Sequence, residues 1–302
     1  MPTAPDVAVI GEALMDIVQA PSGTRTSPGG SPANVALALG RRGLAATLVT
    51  QLADDDHGRA VRAWLADSGV SVEVPGEPER TSTAVARLDG DGAATYDFDI
   101  VWAPPPWPAV PAPIVHTCSI ATVLRPGADT VETALHAARA TSVVTFDPNI
   151  RPSLITDPAD VRARVARLVS LSDVVKVSGE DLDWLRPGED HRSIAEGWLA
   201  GGPSLVVVTE GGDGAFAVHA SGTVFVPAAP VDVVDTVGAG DTVMAALIAE
   251  VHAPTADAVR ARISGWYADD LTAVLQRCAD AAAVTVSRPG ADPPWARELM
   301  SR

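Results

Sequence analysis

Short, unbroken runs of apolar residues recur along the chain, the first being Val7-Ala8-Val9-Ile10 closed by Gly11. Between them lie longer stretches whose apolar positions return every three or four residues. Continuous apolar runs bounded by turn residues suit strands buried on both faces, and the wider period suits helices packed on those faces. Strands are predicted over 7–11, 46–50, 114–117, 143–147, 174–177, 205–209 and 215–218. Helices are predicted over 33–42, 58–68, 128–140, 159–168, 180–185 and 241–251. The alternation implies a doubly wound α/β fold, a mostly parallel sheet with helices on both faces.

Residues 80–102 break this rhythm. Thr83, Val85 and Arg87 alternate with Ala84, Ala86 and Leu88, and Tyr96, Phe98, Ile100 and Trp102 alternate with Asp97 and Asp99. Period-two alternation around Asp89-Gly90-Asp91-Gly92 predicts a β-hairpin. With residues near 12–30 it would form a small sheet apart from the core, whose aromatic stripe is expected to be packed or to contact a second subunit, with a sugar platform as the alternative. The run Ala103-Pro104-Pro105-Pro106-Trp107-Pro108 would return the chain as a stiff connector.

Composition narrows the function. With 302 residues, 47% of them hydrophobic, the chain can bury a substantial core. A formal net charge of −16 opposes binding to nucleic acid or to an anionic membrane, so the expected partner is a small molecule. Residues 1–20 carry Asp6, Glu12 and Asp16 with no basic start, and no apolar stretch is long enough to span a bilayer, so a cytoplasmic enzyme is expected. Cys118 and Cys278 are far apart, without the spacing of a zinc site or a disulfide framework. Asp54-Asp55-Asp56 before a helix reads as a capped turn, because adjacent carboxylates cannot all converge on one ion.

Lys176, the only lysine, sits within the apolar run Val174-Val175-Lys176-Val177, which excludes a Walker A loop. Any phosphoryl transfer would then rest on backbone amides, arginine and a metal ion. The run Asp235-Thr236-Val237-Gly238-Ala239-Gly240-Asp241 supplies such amides. Its glycines allow a tight turn before an apolar helix, whose first-turn N–H groups would stabilise a phosphate. Asp241 beside that anion is either a general base or an N-cap.

This run resembles the C-terminal signature of the ribokinase-like (PfkB) carbohydrate kinases, close to D-T-x-G-A-G-D-x-x-x-A, with Ala245 as its last match. Pro28-Gly29-Gly30-Ser31-Pro32-Ala33-Asn34, continuing to Gly43, resembles that family's N-terminal signature. Gly11-Glu12-Ala13-Leu14-Met15-Asp16 is similar to the opening of its bacterial fructokinases. The resemblance spans nearly the whole chain. It implies one ribokinase-like domain over 1–302, with a small β-sheet lid from about 12–34 and 80–104.

The resemblance also implies roles. Asp241 would be the base, with the amides of Gly238, Ala239 and Gly240 receiving phosphoryl charge. Asp16, Gly30 and Asn34 would bind the sugar. Asn149 and Arg151, from a segment resembling D-x-N-x-R, would face sugar and phosphate, and Asp147 would either hold that loop or touch magnesium. Thr209, Gly211 and Gly214 resemble the turn along the nucleotide phosphates, where a plain glycine hairpin is the alternative. Ser178-Gly179-Glu180-Asp181 stands where many relatives have N-x-x-E. Ser178 would lie by the nucleotide, and the alignment of Leu182 and Leu185 favours Asp181 over Glu180 for magnesium. Ala281 to Ala291 resembles the closing helix and loop, so Asp235 and the carbonyls near Val237 and Gly290 would form a potassium site or simply pack as loops.

The expected reaction is ATP- and Mg²⁺-dependent phosphorylation of a sugar primary hydroxyl, with fructose first and ribose, 2-keto-3-deoxygluconate or a nucleoside as alternatives. A homodimer through the lid is expected. A non-catalytic sugar- or nucleotide-binding regulator is the alternative of another class. A dehydrogenase is disfavoured because no G-x-G-x-x-G follows the first strand.

Overall fold

The computed structural model describes residues 4–20, 23–88 and 94–300, with the side chains of Leu88 and 94–96 left aside. The strands are β1 (Val7–Ile10), β2 (Leu14–Ala20), β3 (Gly23–Gly29), β4 (Ala46–Val49), β5 (Ser71–Glu73), β6 (Ser82–Leu88), β7 (Ala94–Asp99), β8 (Ile114–Cys118), β9 (Val143–Asp147), β10 (Val174–Ser178), β11 (Leu205–Thr209), β12 (Ala215–His219) and β13 (Gly222–Val226). The helices are α1 (Ser31–Arg41), α2 (Asp56–Ala66), α3 (Gly127–Ala138), α4 (Pro158–Leu171), α5 (Gly179–Leu185), α6 (His191–Ala200), α7 (Ala239–Val251), α8 (Ala256–Ser264), α9 (Ala268–Val286) and α10 (Ala296–Leu299).

Nine strands form the main sheet in the order β13-β12-β11-β10-β9-β8-β1-β4-β5. It is parallel from β11 to β5, and β12 alone runs the other way, pairing antiparallel with both β11 and β13. The central strands are buried on both faces, which is why they read as unbroken apolar runs. Side chains of β1 alternate between two cores. Val7 and Val9 join α1, α7 and α9 on one face, and Ala8 and Ile10 join α3 and α4 on the other. The helix α1 is buried from Ser31 to Leu39 and α7 from Asp241 to Ile248, so these two pack against each other with little solvent on either.

The second sheet has four strands in the order β3-β2-β6-β7, with β2 and β6 parallel and the outer pairs antiparallel. Its strands stop at Gly29 and Asp99, short of the 12–34 and 80–104 limits expected for the lid. The hairpin turn expected at 89–92 lies outside the described residues. The aromatic stripe does not stay together. Trp102 is 3% exposed and belongs to the α3 face of the core, where its indole N–H donates to the Ala121 carbonyl at 3.0 Å. Ile100 packs on that core too, whereas Phe98 is half-buried in the small sheet. The strand ends at Asp99, so the alternation beyond it carries no common face.

Helices α6, α8 and α10, most of α9, and strands β5 and β13 were not foreseen. These helices interrupt their apolar positions with alanine and charge, and the strands are short or flank glycine turns.

The acidic triplet forms the capped turn expected of it. Asp55 caps α2 by accepting from the Gly58 amide at 2.7 Å. It also accepts from the Thr81 amide and hydroxyl, both at 2.8 Å, and so ties α2 to the entry of β6. Burial pushes its pKa up, but these hydrogen bonds outweigh that and hold it below the ordinary carboxylate value. A depressed pKa stabilises the fold above the unfolded-state value and loses that contribution as pH falls through the folded one. Asp55→Ala should therefore lower stability by about 1–2 kcal/mol at neutral pH. Thermal melting against pH should show the gap to wild type closing in acid, and equal melting points at pH 7 would contradict the role.

Candidate active site

The C-terminal ends of β1, β8, β9, β10 and β11 open toward one edge of the sheet, where the helix α7 also begins, and parallel α/β sheets carry their sites at such an edge. Gly238 precedes α7 in a left-handed conformation, φ 76°, and a methyl group there would strike Ala291, 2.6 Å away. Glycine is thus required both by the turn and by the closing loop against it. The Ala239 amide already donates to the Thr236 carbonyl at 3.2 Å, so that one of the three expected amides is committed. Among the described residues, those of Gly238 and Gly240 are left for an anion.

Asp241 is 7% exposed in the first turn of α7. Its Oδ1 accepts from the Ser31 hydroxyl at 2.6 Å and its Oδ2 from the Asn34 side-chain amide at 2.8 Å. It is no N-cap, because Gly238 holds that position. Ser31 and Asn34 lie three residues apart on one face of α1, and Ser31 also accepts from the Asn149 amide at 2.8 Å. Asn149, at φ 39°, passes the network on by accepting from Arg151 at 2.7 Å. Asp241, Asn34, Asn149 and Arg151 thus form one hydrogen-bonded chain, in which Ser31 is the member that sequence reasoning missed. Its signal was the i, i+3 spacing to Asn34. Asn34 Oδ1 is buried without a partner among the described residues.

Gly30 holds φ 103° at the start of α1, and a methyl group there would meet the Glu12 carbonyl at 2.7 Å. Asp16 lies across Gly29, where a methyl group would come within 2.0 Å of its Oδ2. Burial raises the Asp16 pKa to about 6, opposed by the charge of Arg151. Glu12 is raised to about 7 by burial, against hydrogen bonds that include one from the Ala121 amide.

The residues expected on the nucleotide side divide differently. Ser178 caps α5, donating to Asp181 Oδ2 at 2.7 Å and accepting from the Asp181 amide at 3.0 Å, so its hydroxyl is committed locally. Asp181 Oδ1 accepts from the Ile150 amide at 2.8 Å, fastening the 149–151 loop, whereas Glu180 is exposed. Thr209 ends β11. Gly211 has open space around it at φ 54°, while a methyl group on Gly214 would meet the Val226 carbonyl at 2.2 Å, a packing reason for that glycine. Asp235 accepts from the amides of Val237 at 3.0 Å and Gly290 at 2.8 Å, clasping the two loops together.

Among the described residues no group of three or more acidic, histidine or cysteine side chains could hold a metal unaided. The donor set fits a hydrated ion brought by a nucleotide, which needs only one or two carboxylates. The position of Lys176 adds a feature that the sequence did not disclose. Although it follows no glycine loop, its ammonium is buried against Asp147 Oδ2 at 2.8 Å, and a methyl group on Gly240 would come within 2.8 Å of its Nζ. A lysine therefore lies beneath the anion turn, reached from a neighbouring strand.

Residues 4–297 match the pfkB family of carbohydrate kinases. The chain belongs to that family. This kinase is 36% identical to a fructokinase from Rhizobium leguminosarum bv. trifolii over 80% of its own length and 78% of the relative's. A fructokinase from Xylella fastidiosa, solved with bound ATP, superposes with a TM-score of 0.85 at 27% identity, covering 98% of this chain and 97% of the other. A fructokinase from Vibrio cholerae, solved with fructose, ADP and calcium, gives a TM-score of 0.82 at 25% identity, with 99% and 98% covered. The chain is accordingly an ATP-dependent carbohydrate kinase of ribokinase-like fold.

Removing the Ser31 hydroxyl would free one oxygen of Asp241 and leave the Asn149 amide without its acceptor. Hydrogen bonds to charged groups contribute about 1.5–3 kcal/mol, so Ser31→Ala should lower kcat roughly 10–100-fold. Steady-state kinetics would check this, and unchanged turnover would show that Asp241 does not depend on the network.

Proposed function

We propose that this kinase phosphorylates fructose at a primary hydroxyl to give fructose 6-phosphate. The observation that carries the catalytic reading is Asp241, a buried carboxylate fixed on both oxygens by Ser31 and Asn34 at the mouth of an amide turn. Each of its oxygens keeps a lone pair for a hydroxyl proton. The choice of fructose rests on the relatives named fructokinase and on the Gly11 to Asp16 opening.

In this mechanism Asp16, Asn34 and Arg151 orient the sugar from the α1 and lid side, with Gly30 letting the backbone approach and Asn149 positioning Arg151. Asp241 takes the hydroxyl proton as the sugar oxygen attacks the γ-phosphorus. The bond to the bridging oxygen breaks, ADP leaves, and the amides of Gly238 and Gly240 receive the phosphoryl charge. Thr209 and Gly211 lie along the nucleotide phosphates. Asp181 would hold, through water, the Mg²⁺ that arrives with ATP and neutralises part of the phosphate charge. The Asp235 clasp and the carbonyls near Val237 and Gly290 would take a potassium ion. Closure of the small sheet would keep water from the transferring group.

Among the described residues β3 and β7 are the outer strands of the small sheet, a position that supports a homodimer through the lid. Use of ATP and the two free buried cysteines fit a cytoplasmic setting.

Asp241→Asn should retain ATP binding and lose sugar-dependent ADP formation by roughly 10²–10⁴-fold. Near-normal turnover would remove Asp241 from the chemistry. In a panel of fructose, ribose, 2-keto-3-deoxygluconate and nucleosides, fructose should give the highest kcat/KM, and another sugar in first place would replace it.

Asp16 carries the pH dependence. With its pKa raised to about 6, it is the ionised acceptor of hydroxyl protons above that pH and becomes neutral below it. Sugar kcat/KM should therefore fall as pH drops through about 6. Asp16→Asn should abolish that limb of the profile and raise the sugar KM far more than the ATP KM. An unaltered acid limb would assign it to another group.

A further inference from the structure

Lys176 is the buried group for which the mechanism above has no use. It stands on β10, one strand from Asp147 at the end of β9, and is 3% exposed in the middle of the main sheet. Among the described residues its ammonium has a single hydrogen-bond partner, Asp147 Oδ2. Asp147 is itself fully buried, and its other oxygen has no partner among the described residues. A buried ion pair of this kind is weak evidence for stability, since well-packed apolar residues often replace such pairs without loss. Its position is more informative than its existence. Nζ lies against Gly240, one residue before the base and inside the turn that faces the anion.

The charges around it are unbalanced. Asp147, Asp181 and Asp241 all lie within electrostatic reach of Lys176. One ammonium thus stands against three carboxylates at a place where a polyphosphate has to bind. Without it, the turn would present amide dipoles to the phosphate from above a wholly negative floor.

We propose that Lys176 is a positioning residue for phosphoryl transfer, whose ammonium, anchored by Asp147 beneath Gly240, gives the amide turn the positive potential that lets it hold the γ-phosphate. It acts through the turn from the sheet side. This inference deepens the kinase reading and rests on it for the identity of the anion. Asp147 is the anchor, so the pair is oriented with its positive end toward α7.

A mutant cycle separates this role from mere neutralisation of Asp147. Lys176→Met, Asp147→Asn and the double variant would be compared by calorimetric titration with ATP and with adenosine, in EDTA so that no metal enters the comparison. Adenosine shares the base and ribose but carries no phosphate. The double variant removes both members of the buried ion pair together, so it keeps the test open where Lys176→Met alone fails to fold.

Adenosine affinity should be unchanged throughout. ATP affinity should fall roughly 10–100-fold in every variant lacking the lysine, the double included, as expected for one charge removed at short range in a partly screened site. Asp147→Asn alone should keep the preference for ATP. With magnesium restored, kcat should fall in the double variant while the sugar KM stays near wild type. A double variant that recovers the wild-type ratio of ATP to adenosine affinity would overturn the proposal and reduce Lys176 to a counter-ion for Asp147. The binding ratio is read without turnover, so a wild-type chain releasing no ADP with any sugar would sink the functional reading and leave this test intact.

Discussion

The two oxygens of Asp241 are the point on which the site depends. Both oxygens of this buried carboxylate accept a hydrogen bond, and both donors come from the first turn of α1, more than two hundred residues earlier in the chain. The N-termini of α1 and α7 must therefore meet. That demand explains why both helices are apolar almost all round, why small residues such as Ala33, Ala36, Ala245 and Ala246 line them, and why each begins after a glycine at positive φ, a backbone that side chains rarely adopt. The main sheet is the platform that brings the two ends to its C-terminal edge.

From that contact the network runs outward and changes character. Ser31 passes it to Asn149, and Arg151 carries it to the rim, where its charge acts on Asp16 and Glu12. Inward lie Asp147 and Asp181, buried and acidic, with Lys176 as the counter-charge beneath the turn. A site that must bind both a neutral polyol and a polyanion is thus built as two electrostatic regions meeting at one carboxylate. The polyol side offers hydrogen-bond acceptors and amides. The proposed anion side offers helix N–H groups and a positive charge held out of water.

Much of this was legible in the sequence, for physical reasons that differ by element. Strands buried on both faces leave unbroken apolar runs, so β1, β8, β9 and β11 could be read directly. Gly30 and Gly238 were legible because no other residue adopts their backbone without strain, and Asp241 because it follows such a turn. The amphipathic helix α9 was legible only at its end, since alanine and aspartate blur its apolar face. The stripe from Tyr96 to Trp102 misled because period two marks a strand only while the chain stays in the sheet, and it leaves after Asp99. Ser31 and Lys176 were missed for a common reason. Their significance lies in what stands opposite them in space, and neither helix spacing nor strand alternation records which strand or helix is placed across from a side chain. In the sequence Lys176 could be read only against a glycine loop, which leaves Asp147 and Gly240 opposite it unseen.

The most direct test of the central claim is a crystal structure of the enzyme closed on fructose and a non-hydrolysable ATP analogue. The expected result is a primary hydroxyl of the sugar within hydrogen-bond reach of Asp241, at about 2.6–3.2 Å, and in line with the terminal phosphorus over the Gly238 to Gly240 turn. A sugar bound with no hydroxyl at Asp241, or a terminal phosphate held away from that turn, would contradict it.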